Sequence, residues 1–301
     1  MLRTFTLPAS ADDLNLSVLV STPESTPRGV FQIVHGMCEH KERYIPFIEF
    51  LTAQGYVCVI HDQRGHGASV KSDSDLGYLY DGGWRAMVED VRVVCDWAQR
   101  QYPGLDYTLF GHSMGSMAVR SFAKRYDSRL DRLIVCGSPA DSPAKGLGMA
   151  LARFFGAVRG WKFRPKVLQW MCFGSFNKGF EQENCPISWI CFDPEVLAEY
   201  LQDPLCTYRF TANGFYGLLG LMQDCYSPEG WRMDRPQMPV HFVSGAEDPC
   251  RGSDEALQQA AELMRRVGYE RVDVKLYPGM RHEILNEKGR QTVWDDILNL
   301  L

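Results

Sequence analysis

The sequence lacks an excess of basic charge, a long apolar run and any closely spaced cysteine pair. Its 301 residues carry a formal net charge of -5, which argues against a general nucleic-acid binder, because such proteins present a basic surface. No apolar run is long enough to span a bilayer. Residues 1–14 contain neither a continuous apolar segment nor a small-residue cleavage site, so a secretory signal is not expected. These absences predict a cytoplasmic globular protein.

Cysteine is not scarce, but its spacing excludes two uses. The 10 cysteines are scattered along the chain without a single C-x-x-C pair, so neither a zinc site nor a redox pair is indicated. An even cysteine count indicates disulfides only in short secreted chains. We expect most of these thiols to be reduced and buried, and we expect no bound metal.

Internal repeats are also absent, and from Gly29 onward apolar strand-like runs alternate with longer amphipathic segments. This alternation is typical of an α/β fold in which crossover helices connect a parallel sheet. The predicted strands are residues 30–34, 57–61, 107–110, 133–136, 240–244 and 272–277. The predicted helices are residues 44–54, 84–100, 116–126, 255–267 and 284–301. The residues before Gly29 are predicted to form an antiparallel hairpin.

One stretch breaks this rhythm. Residues 138–235 contain no convincing parallel strand but many aromatic and helix-like segments, and we interpret them as a helical lid inserted over the sheet. The core of the α/β fold then consists of residues 1–137 and 236–301.

The lid candidate begins with a strongly basic segment. Residues 142–180 carry seven lysines and arginines and no acidic residue, which leaves -12 for the rest of the chain. Eight large apolar side chains are interleaved with these charges: Phe154, Phe155, Trp161, Phe163, Trp170, Met171, Phe173 and Phe176. One interpretation is transient contact with a membrane or micelle surface. The other, favoured for most of the aromatic residues, is packing of the lid against the sheet.

A pentapeptide at residues 111–115, Gly-His-Ser-Met-Gly, fits the G-x-S-x-G elbow that exposes a serine oxygen above a parallel sheet. Its context is right, because a predicted strand precedes it and a predicted helix follows it. The flanking glycines have a steric reason, since a Cβ at either position would collide with the crossing strand or helix. The motif predicts a serine hydrolase with Ser113 as nucleophile.

A serine hydroxyl needs an imidazole to accept its proton and a carboxylate to orient that imidazole. In this architecture the partners follow in the order Ser, Asp or Glu, His, on loops beyond the carboxyl ends of later strands. Asp248 follows the predicted strand 240–244, and His282 follows the predicted strand 272–277. Both fit the order and the loop positions.

The other candidates for the acid and the base are weaker. Four histidines precede the serine, which is the wrong order for the base: His35, His40, His61 and His66. His241 lies within an apolar strand and His112 within the elbow, where it would order the turn. Glu247 and Asp141 are rivals for the acid, but Pro249 restrains the residue before it and favours Asp248.

The oxyanion formed by attack on an ester requires preorganised N–H donors. The first predicted donor is the amide of Met114, directly after the nucleophile. The second is the amide of Met37, in the loop after the strand 30–34. The residues flanking these donors are predicted to contact substrate: His35, Gly36, Cys38 and His112. Glu39 and Arg43 are a candidate ion pair that would hold the loop.

Taken together, these motifs resemble the monoacylglycerol lipase and lysophospholipase branch of the α/β-hydrolase superfamily, a branch of serine aminopeptidase type. Residues 35–44, HGMCEHKERY, are similar to the family pattern His-Gly-x-Gly-Glu-His-x-x-Arg-Tyr. Residues 62–69, DQRGHGAS, the elbow, and residues 279–283, GMRHE, reinforce the resemblance. Cys38 departs from it, since the family has glycine there, and the lid matches only weakly.

The resemblance implies a mostly parallel eight-stranded sheet with helices on both faces and an inserted helical lid. It also implies ester hydrolysis without a cofactor, through an acyl-enzyme. Ser113, Asp248 and His282 would be the triad, with Met37 and Met114 as oxyanion donors. The implied substrates are monoacylglycerols, lysophospholipids or other small acyl esters.

Two other functions remain open. A proline-type aminopeptidase on the same fold would need lid carboxylates to bind a free amino group, and six are available: Glu181, Glu183, Asp193, Glu195, Glu199 and Asp203. A non-catalytic binding protein is the second alternative, because fold does not fix function. A dinucleotide site at Gly65-His66-Gly67 is discounted because Val70 replaces the third glycine of the motif. Acyl length, head group and oligomeric state are left open.

Overall fold

Eight strands form a single sheet in the computed structural model, which describes residues 1–301. In chain order they are β1 (Leu2–Pro8), β2 (Asn15–Ser21), β3 (Gly29–Val34), β4 (Tyr56–His61), β5 (Asp106–His112), β6 (Arg132–Cys136), β7 (Val240–Gly245) and β8 (Val272–Tyr277). Their spatial order is β1-β2-β4-β3-β5-β6-β7-β8. Only the pairs β1–β2 and β2–β4 are antiparallel, so the prediction of a mostly parallel eight-stranded sheet is confirmed.

Nine α-helices accompany the sheet: α1 (Ile45–Ala53), α2 (Gly83–Gln101), α3 (Met114–Tyr126), α4 (Lys145–Arg159), α5 (Lys166–Phe173), α6 (Pro194–Gln202), α7 (Ala212–Tyr226), α8 (Asp254–Arg266) and α9 (Arg290–Leu300). Buried apolar residues of α1 and α9 pack on one face of the sheet. Those of α2, α3 and α8 pack on the other. The strands β3 and β4 are buried along their whole length, as expected of parallel strands covered on both faces.

The predicted helix 284–301 is wrong at its start. Helix α9 begins only at Arg290, and the preceding residues form turns. Ile284 and Leu285 are nevertheless buried, because this loop folds inward onto the core. Their apolar character, which resembled a helix face in the sequence, reflects that inward turn. The loop from Pro278 to Gly289, which we call the His282 loop, therefore carries its histidine on irregular backbone.

The stretch 138–235 contains helices α4 to α7 and no strand. Its last helix, α7, packs against α3 and α2 as well as against α4. Phe215, Leu218 and Leu221 of α7 belong to the same buried cluster as the core helices. The stretch is thus anchored at its carboxyl-terminal end, while α4 and α5 lie farther from the sheet.

All ten cysteines are free thiols, and eight of them are buried. None of the helices combines the length and the apolar character needed to cross a membrane.

Candidate active site

Ser113 stands alone between a strand and a helix. Strand β5 ends at His112 and helix α3 begins at Met114. The serine backbone is in a strained region, with φ 55° and ψ -118°, which is uncommon for any residue but glycine. A Cβ at Gly111 would meet the carbonyl of Gly115, and a Cβ at Gly115 would meet the carbonyl of Val34. Both glycines are therefore required sterically for this turn.

The structure brings the three predicted side chains into one hydrogen-bonded chain. The Nε2 atom of His282 lies 2.8 Å from the Oγ of Ser113, and its Nδ1 lies 2.9 Å from the Oδ2 of Asp248. The carboxylate of Asp248 is itself held, because it accepts hydrogen bonds from the amide of Cys250 at 2.8 Å and the hydroxyl of Ser244 at 3.2 Å. Asp248 and His282 are almost fully buried. This geometry suits proton transfer from the serine to an oriented imidazole.

The rivals for the acid lie elsewhere. Glu247 is exposed to solvent, and Asp141 forms an ion pair with Lys145 at 2.5 Å. His241, the histidine within an apolar strand, bonds through Nδ1 to Asp273 at 2.7 Å. None of these three residues approaches the serine hydroxyl by a hydrogen bond.

The two amides predicted as oxyanion donors are available for a ligand. The N–H of Met37 donates to no group of the protein, and the N–H of Met114 belongs to the first turn of α3, where amides have no partner within their helix. Met37, Met114 and Ser113 line the same cavity. The positive end of the α3 dipole also favours negative charge at this point.

Buried ion pairs hold the loop that carries Met37. Glu39 accepts hydrogen bonds from the amide of Gly36 and the hydroxyl of Tyr44, and it lies 3.1 Å from Nδ1 of His112. Arg43 approaches Glu39 at 3.3 Å but makes a tighter, two-pronged pair with Glu283 at 2.7 and 2.8 Å. The predicted Glu39–Arg43 pair is thus present, and Glu283 is the stronger partner of Arg43. The Arg43–Glu283 pair ties the Met37 loop to the His282 loop.

The protonation states of this network follow from burial and charge. Burial alone would raise the pKa of Glu39, but His112 and Arg43 hold that pKa well below its ordinary value. Burial lowers the pKa of His112, and the Glu39 carboxylate outweighs it, so the pKa is raised overall. The network therefore favours a charged pair beside the elbow.

Two of the residues predicted to contact substrate lie behind the cavity wall. His35 is fully buried and accepts a hydrogen bond on Nε2 from the amide of Gln63 at 2.9 Å. Burial lowers its pKa to about 4. Gly36 packs tightly against Glu39, Ser113 and His112. Neither residue lines a cavity at the serine, so both lie in the layer that supports the Met37 loop.

Cys38 and His112, the other two predicted contacts, do line a cavity at the serine. Cys38 has φ 54°, which explains why the family pattern has glycine at this position. Its thiol donates to the carbonyl of Tyr208 at 3.3 Å, and its carbonyl accepts from the hydroxyl of Tyr200 at 2.9 Å. Burial raises the pKa of the Cys38 thiol, which argues against a reactive thiolate at neutral pH.

Two cavities meet at the serine, and Met37, Ser113, Phe173 and Trp189 line both. The first, of about 500 Å³, has 15 hydrophobic residues among its 24; we call it the apolar cavity. Its walls include Leu168, Met171, Leu218, Leu219 and Met222. The second, of about 690 Å³, has 11 hydrophobic residues among 22; we call it the mixed cavity. Its polar walls include Glu39, Gln169, Tyr200, Thr207, Tyr208 and Arg209.

Sequence reasoning missed two residues next to the histidine. Trp189, from the stretch 138–235, packs its ring against the imidazole of His282 with the centroids 5.1 Å apart. Arg281 is almost fully buried and binds Glu183 and Ser188 of the stretch 138–235. Arg281 lies within the GMRHE motif, which was the available signal. Nothing in the sequence distinguished Trp189 from the other aromatic residues of the stretch 138–235.

Two clusters have side chains close enough to share a metal ion. One consists of Asp248, Cys250 and His282, so it includes the carboxylate and imidazole already described. The other consists of His40, Asp203 and Cys206. Both ring nitrogens of His40 are engaged there, with Glu42 and Asp203, each at 2.7 Å. Through the hydrogen bond from His40 to Asp203, this second cluster joins the Met37 loop to the stretch 138–235.

Comparison with known proteins gives consistent matches. Residues 25–289 match the family model described as serine aminopeptidase, S33. A monoacylglycerol lipase of Mycolicibacterium smegmatis is 31% identical over 279 residues, which cover 92% of this chain and 89% of that protein. A thermostable carboxyl esterase from Bacillus coagulans, solved in complex with glycerol, has a TM-score of 0.92 at 27% identity, over 99% of this chain and 97% of that one. A monoglyceride lipase from Saccharomyces cerevisiae shares the fold, with a TM-score of 0.72 at 17% identity, over 99% of this chain and 95% of that one.

Proposed function

This chain belongs to the serine aminopeptidase S33 family, and on that premise we propose that it cleaves carboxylic esters through Ser113, His282 and Asp248. It is a carboxylic ester hydrolase with the α/β-hydrolase fold, of the monoacylglycerol lipase-like branch. The observation that carries the catalytic assignment is the hydrogen-bonded chain from Ser113 Oγ through the imidazole to Asp248, with distances of 2.8 and 2.9 Å.

In the proposed acylation step, Ser113 Oγ attacks the ester carbonyl carbon while His282 Nε2 accepts the hydroxyl proton. Asp248 keeps the proton on Nδ1 and stabilises the imidazolium that forms. The tetrahedral oxyanion receives hydrogen bonds from the amides of Met37 and Met114. When the intermediate collapses, the C–O bond to the alcohol breaks and His282 returns the proton to the departing oxygen.

In the proposed deacylation step, water replaces the alcohol and gives its proton to His282 as its oxygen attacks the acyl-enzyme. The same two amides stabilise the second oxyanion, and the proton returns to Ser113 Oγ as the acid leaves. Every proton transfer uses the one imidazole, so the reaction needs no redox partner and its atoms balance with water alone.

The two cavities support a division of the substrate between them. The acyl chain of the ester would occupy the apolar cavity, whose wall includes side chains of α5 and α7 and the backbone of Gly148 in α4. The alcohol would leave through the mixed cavity, where Gln169 Oε1 and Tyr208 Oη are buried without a hydrogen-bond partner. Buried polar atoms without partners favour a ligand that supplies them. We therefore propose acyl esters of small polar alcohols, such as monoacylglycerols, as substrates.

The aminopeptidase alternative finds less support. None of the six lid carboxylates that could bind a free amino group lines either cavity. Two of them are already paired, Glu183 with Arg281 and Asp203 with His40. Asp141 lines the apolar cavity but pairs with Lys145. A non-catalytic binding protein would have no use for a serine hydroxyl hydrogen-bonded to an oriented imidazole.

We also propose that residues 138–235 act as the lid of this site and that the outer side of α4 and α5 meets lipid surfaces. Leu147, Phe154 and Val158 follow one another at helical spacing and are exposed. Trp161, Val167 and Trp170 continue the exposed apolar surface, to 71% exposure at Trp170. Lysines and arginines flank it without a single acidic residue. Such a basic apolar surface is suited to an anionic interface.

The triad assignment is tested by Ser113→Ala. We expect hydrolysis of p-nitrophenyl and monoacylglycerol esters to fall at least about 10³-fold, because the nucleophile is lost. Labelling by a fluorophosphonate probe should disappear in parallel. Ser121→Ala is the matched control, since it removes another buried hydroxyl from α3 that has no hydrogen-bond partner. Undiminished turnover by Ser113→Ala would sink the assignment, and release of arylamine from a prolyl arylamide would favour the peptidase.

A further inference from the structure

Arg281 is buried to 1% exposure directly before the histidine. Its guanidinium donates from Nη1 to the carbonyls of Ser188 and Cys191 at 2.5 and 3.3 Å. It also pairs with both carboxylate oxygens of Glu183. The rings of Phe180 and Phe192 lie 4.0 and 3.7 Å from its central carbon. All five partners belong to the lid, so the residue joins two parts of the chain about 90 positions apart.

Backbone hydrogen bonds extend this contact along the His282 loop. The amide of Glu283 donates to the carbonyl of Ile190 at 2.8 Å. The amide of Phe192 donates to the carboxylate of Glu287 at 3.1 Å, and that carboxylate also accepts from the amide of Arg281 at 2.9 Å. His282 is therefore flanked in the sequence by two residues that bond to the lid, Arg281 before it and Glu283 after it.

The same lid segment also covers the imidazole. Trp189 lies between Ser188 and Ile190, whose carbonyls are bound by Arg281 and Glu283. Its ring packs against His282 and lines both cavities. Any shift of residues 183–192 would therefore move the ring that contacts the imidazole as well as the loop that carries it.

We infer that Arg281 is a positioning residue that holds His282 in register with Ser113 by fastening its loop to residues 183–192 of the lid. This inference rests on the proposed function, in which His282 is the base. It assigns the lid a second role besides covering the substrate: its 183–192 segment is part of the scaffold of the catalytic imidazole.

The chemistry of the guanidinium explains why arginine is needed. Its planar fork can bind the Glu183 carboxylate and backbone carbonyls at once while its faces pack on aromatic rings. Lysine keeps the charge but has neither the fork nor the flat faces. Methionine fills similar space with no donors. Because a displacement of about 1 Å in a reacting group can cost about 10²-fold in rate, loss of these contacts should act on turnover.

The test compares Arg281→Met, Arg281→Lys and Glu183→Gln with the control Glu181→Gln, a nearby exposed lid carboxylate that does not touch Arg281. Each enzyme is titrated with a fluorophosphonate, and kcat per titrated site and KM are measured with p-nitrophenyl acetate. We expect Arg281→Met to lower kcat about 10- to 100-fold with KM changed less than about 3-fold. Arg281→Lys should recover part of that loss. Glu183→Gln should lower kcat about 2- to 5-fold, and Glu181→Gln should leave it unchanged.

A purely structural role would reduce the number of titratable sites or the melting temperature and leave kcat per site at the wild-type value; that result would overturn the inference. If Arg281→Met does not fold, Glu183→Gln decides the question, because its side chain is 42% exposed and its loss leaves the buried carbonyl contacts intact. Ser113→Ala in the same assay separates the two claims. Turnover by Ser113→Ala overturns the proposed function, whereas an inactive Ser113→Ala beside a fully active Arg281→Met overturns only the positioning role.

Discussion

Cys38 occupies a backbone conformation that usually belongs to glycine. Its φ of 54° lies in the left-handed region, where a Cβ costs about 1–2 kcal/mol. Its thiol and carbonyl are both bonded to the lid, through Tyr208 and Tyr200. The conformation is therefore held from outside, next to Met37, which lines both cavities.

Replacing Cys38 by valine should lower the free energy of unfolding by about 2–3 kcal/mol, because a β-branched side chain is poorly accommodated at positive φ. Cys38→Gly relieves that strain but loses the buried thiol, so it should stay within about 1 kcal/mol of wild type. Urea unfolding measures both. The control is Cys58→Val, the same change at a fully buried position in β4. Equal losses at the two sites would mean that volume, and not backbone conformation, sets the cost.

The residues at the site differ in how far sequence could locate them. Ser113, Asp248 and His282 could be paired before any coordinates, because parallel strands bring the loops at their carboxyl ends together. Closeness in sequence to Met37 was a poorer guide to substrate contact, since it also selected His35, which lines neither cavity. The position of Trp189 beside His282 depends on how the lid folds back over the sheet. No periodic pattern in the sequence encodes that fold.

The strands and helices also differ in how far the sequence could predict them. Strands of the sheet were predictable because buried parallel strands are short apolar runs, and α2 because its apolar residues recur at helical spacing. The lid helices were not resolved one by one. Helix α5 has only 8 residues, and α4 has apolar residues both against α7 and on its outer surface. Helix prediction relies on the contrast between an apolar inner face and a polar outer face, and an apolar outer face removes that contrast.

That outer face supports a prediction about the lid. The double variant Phe154→Ser and Val158→Ser should bind mixed phosphatidylcholine and phosphatidylglycerol vesicles at least about 10-fold more weakly, because each lost side chain gives up apolar burial of about 1.5–3 kcal/mol at most. Co-sedimentation with the vesicles measures the binding. Hydrolysis of a monomeric short ester should be unchanged, since both side chains are exposed on the outer surface and neither lines a cavity.

The control for this variant is Leu2→Ser, which removes an exposed apolar side chain from β1, outside the lid. It should bind vesicles as the wild type does. If the lid variant and the control bind equally well, or if the wild type binds no vesicles, the outer face of α4 has no interfacial role and its exposed side chains belong to another contact.

At the scale of the whole molecule, buried histidines link stability to pH. Burial lowers the pKa of His35 and of His61 to about 4 and that of His66 to about 3. All three are fully buried, and neither ring nitrogen of His61 has a hydrogen-bond partner. Each of these imidazoles is therefore neutral inside the fold, whereas in the unfolded chain its pKa returns to the ordinary value of 6.5.

Between pH 4 and pH 6.5 the unfolded chain binds more protons than the folded chain. The stability that these neutral histidines contribute is therefore fully present above pH 6.5 and is lost as the pH falls toward 4. For His61 alone the loss amounts to about 3 kcal/mol. His61→Phe should therefore flatten the dependence of the unfolding free energy on pH in this window, as measured by urea unfolding at several pH values.

His40→Gln is the control, and its effect on the pH dependence should have the opposite sign. Burial lowers the pKa of His40, but Glu42 and Asp203 raise it overall, so His40 stabilises the fold at low pH and this contribution is lost as the pH rises. A His61→Phe curve parallel to that of the wild type would mean that the acid sensitivity arises from the carboxylates instead.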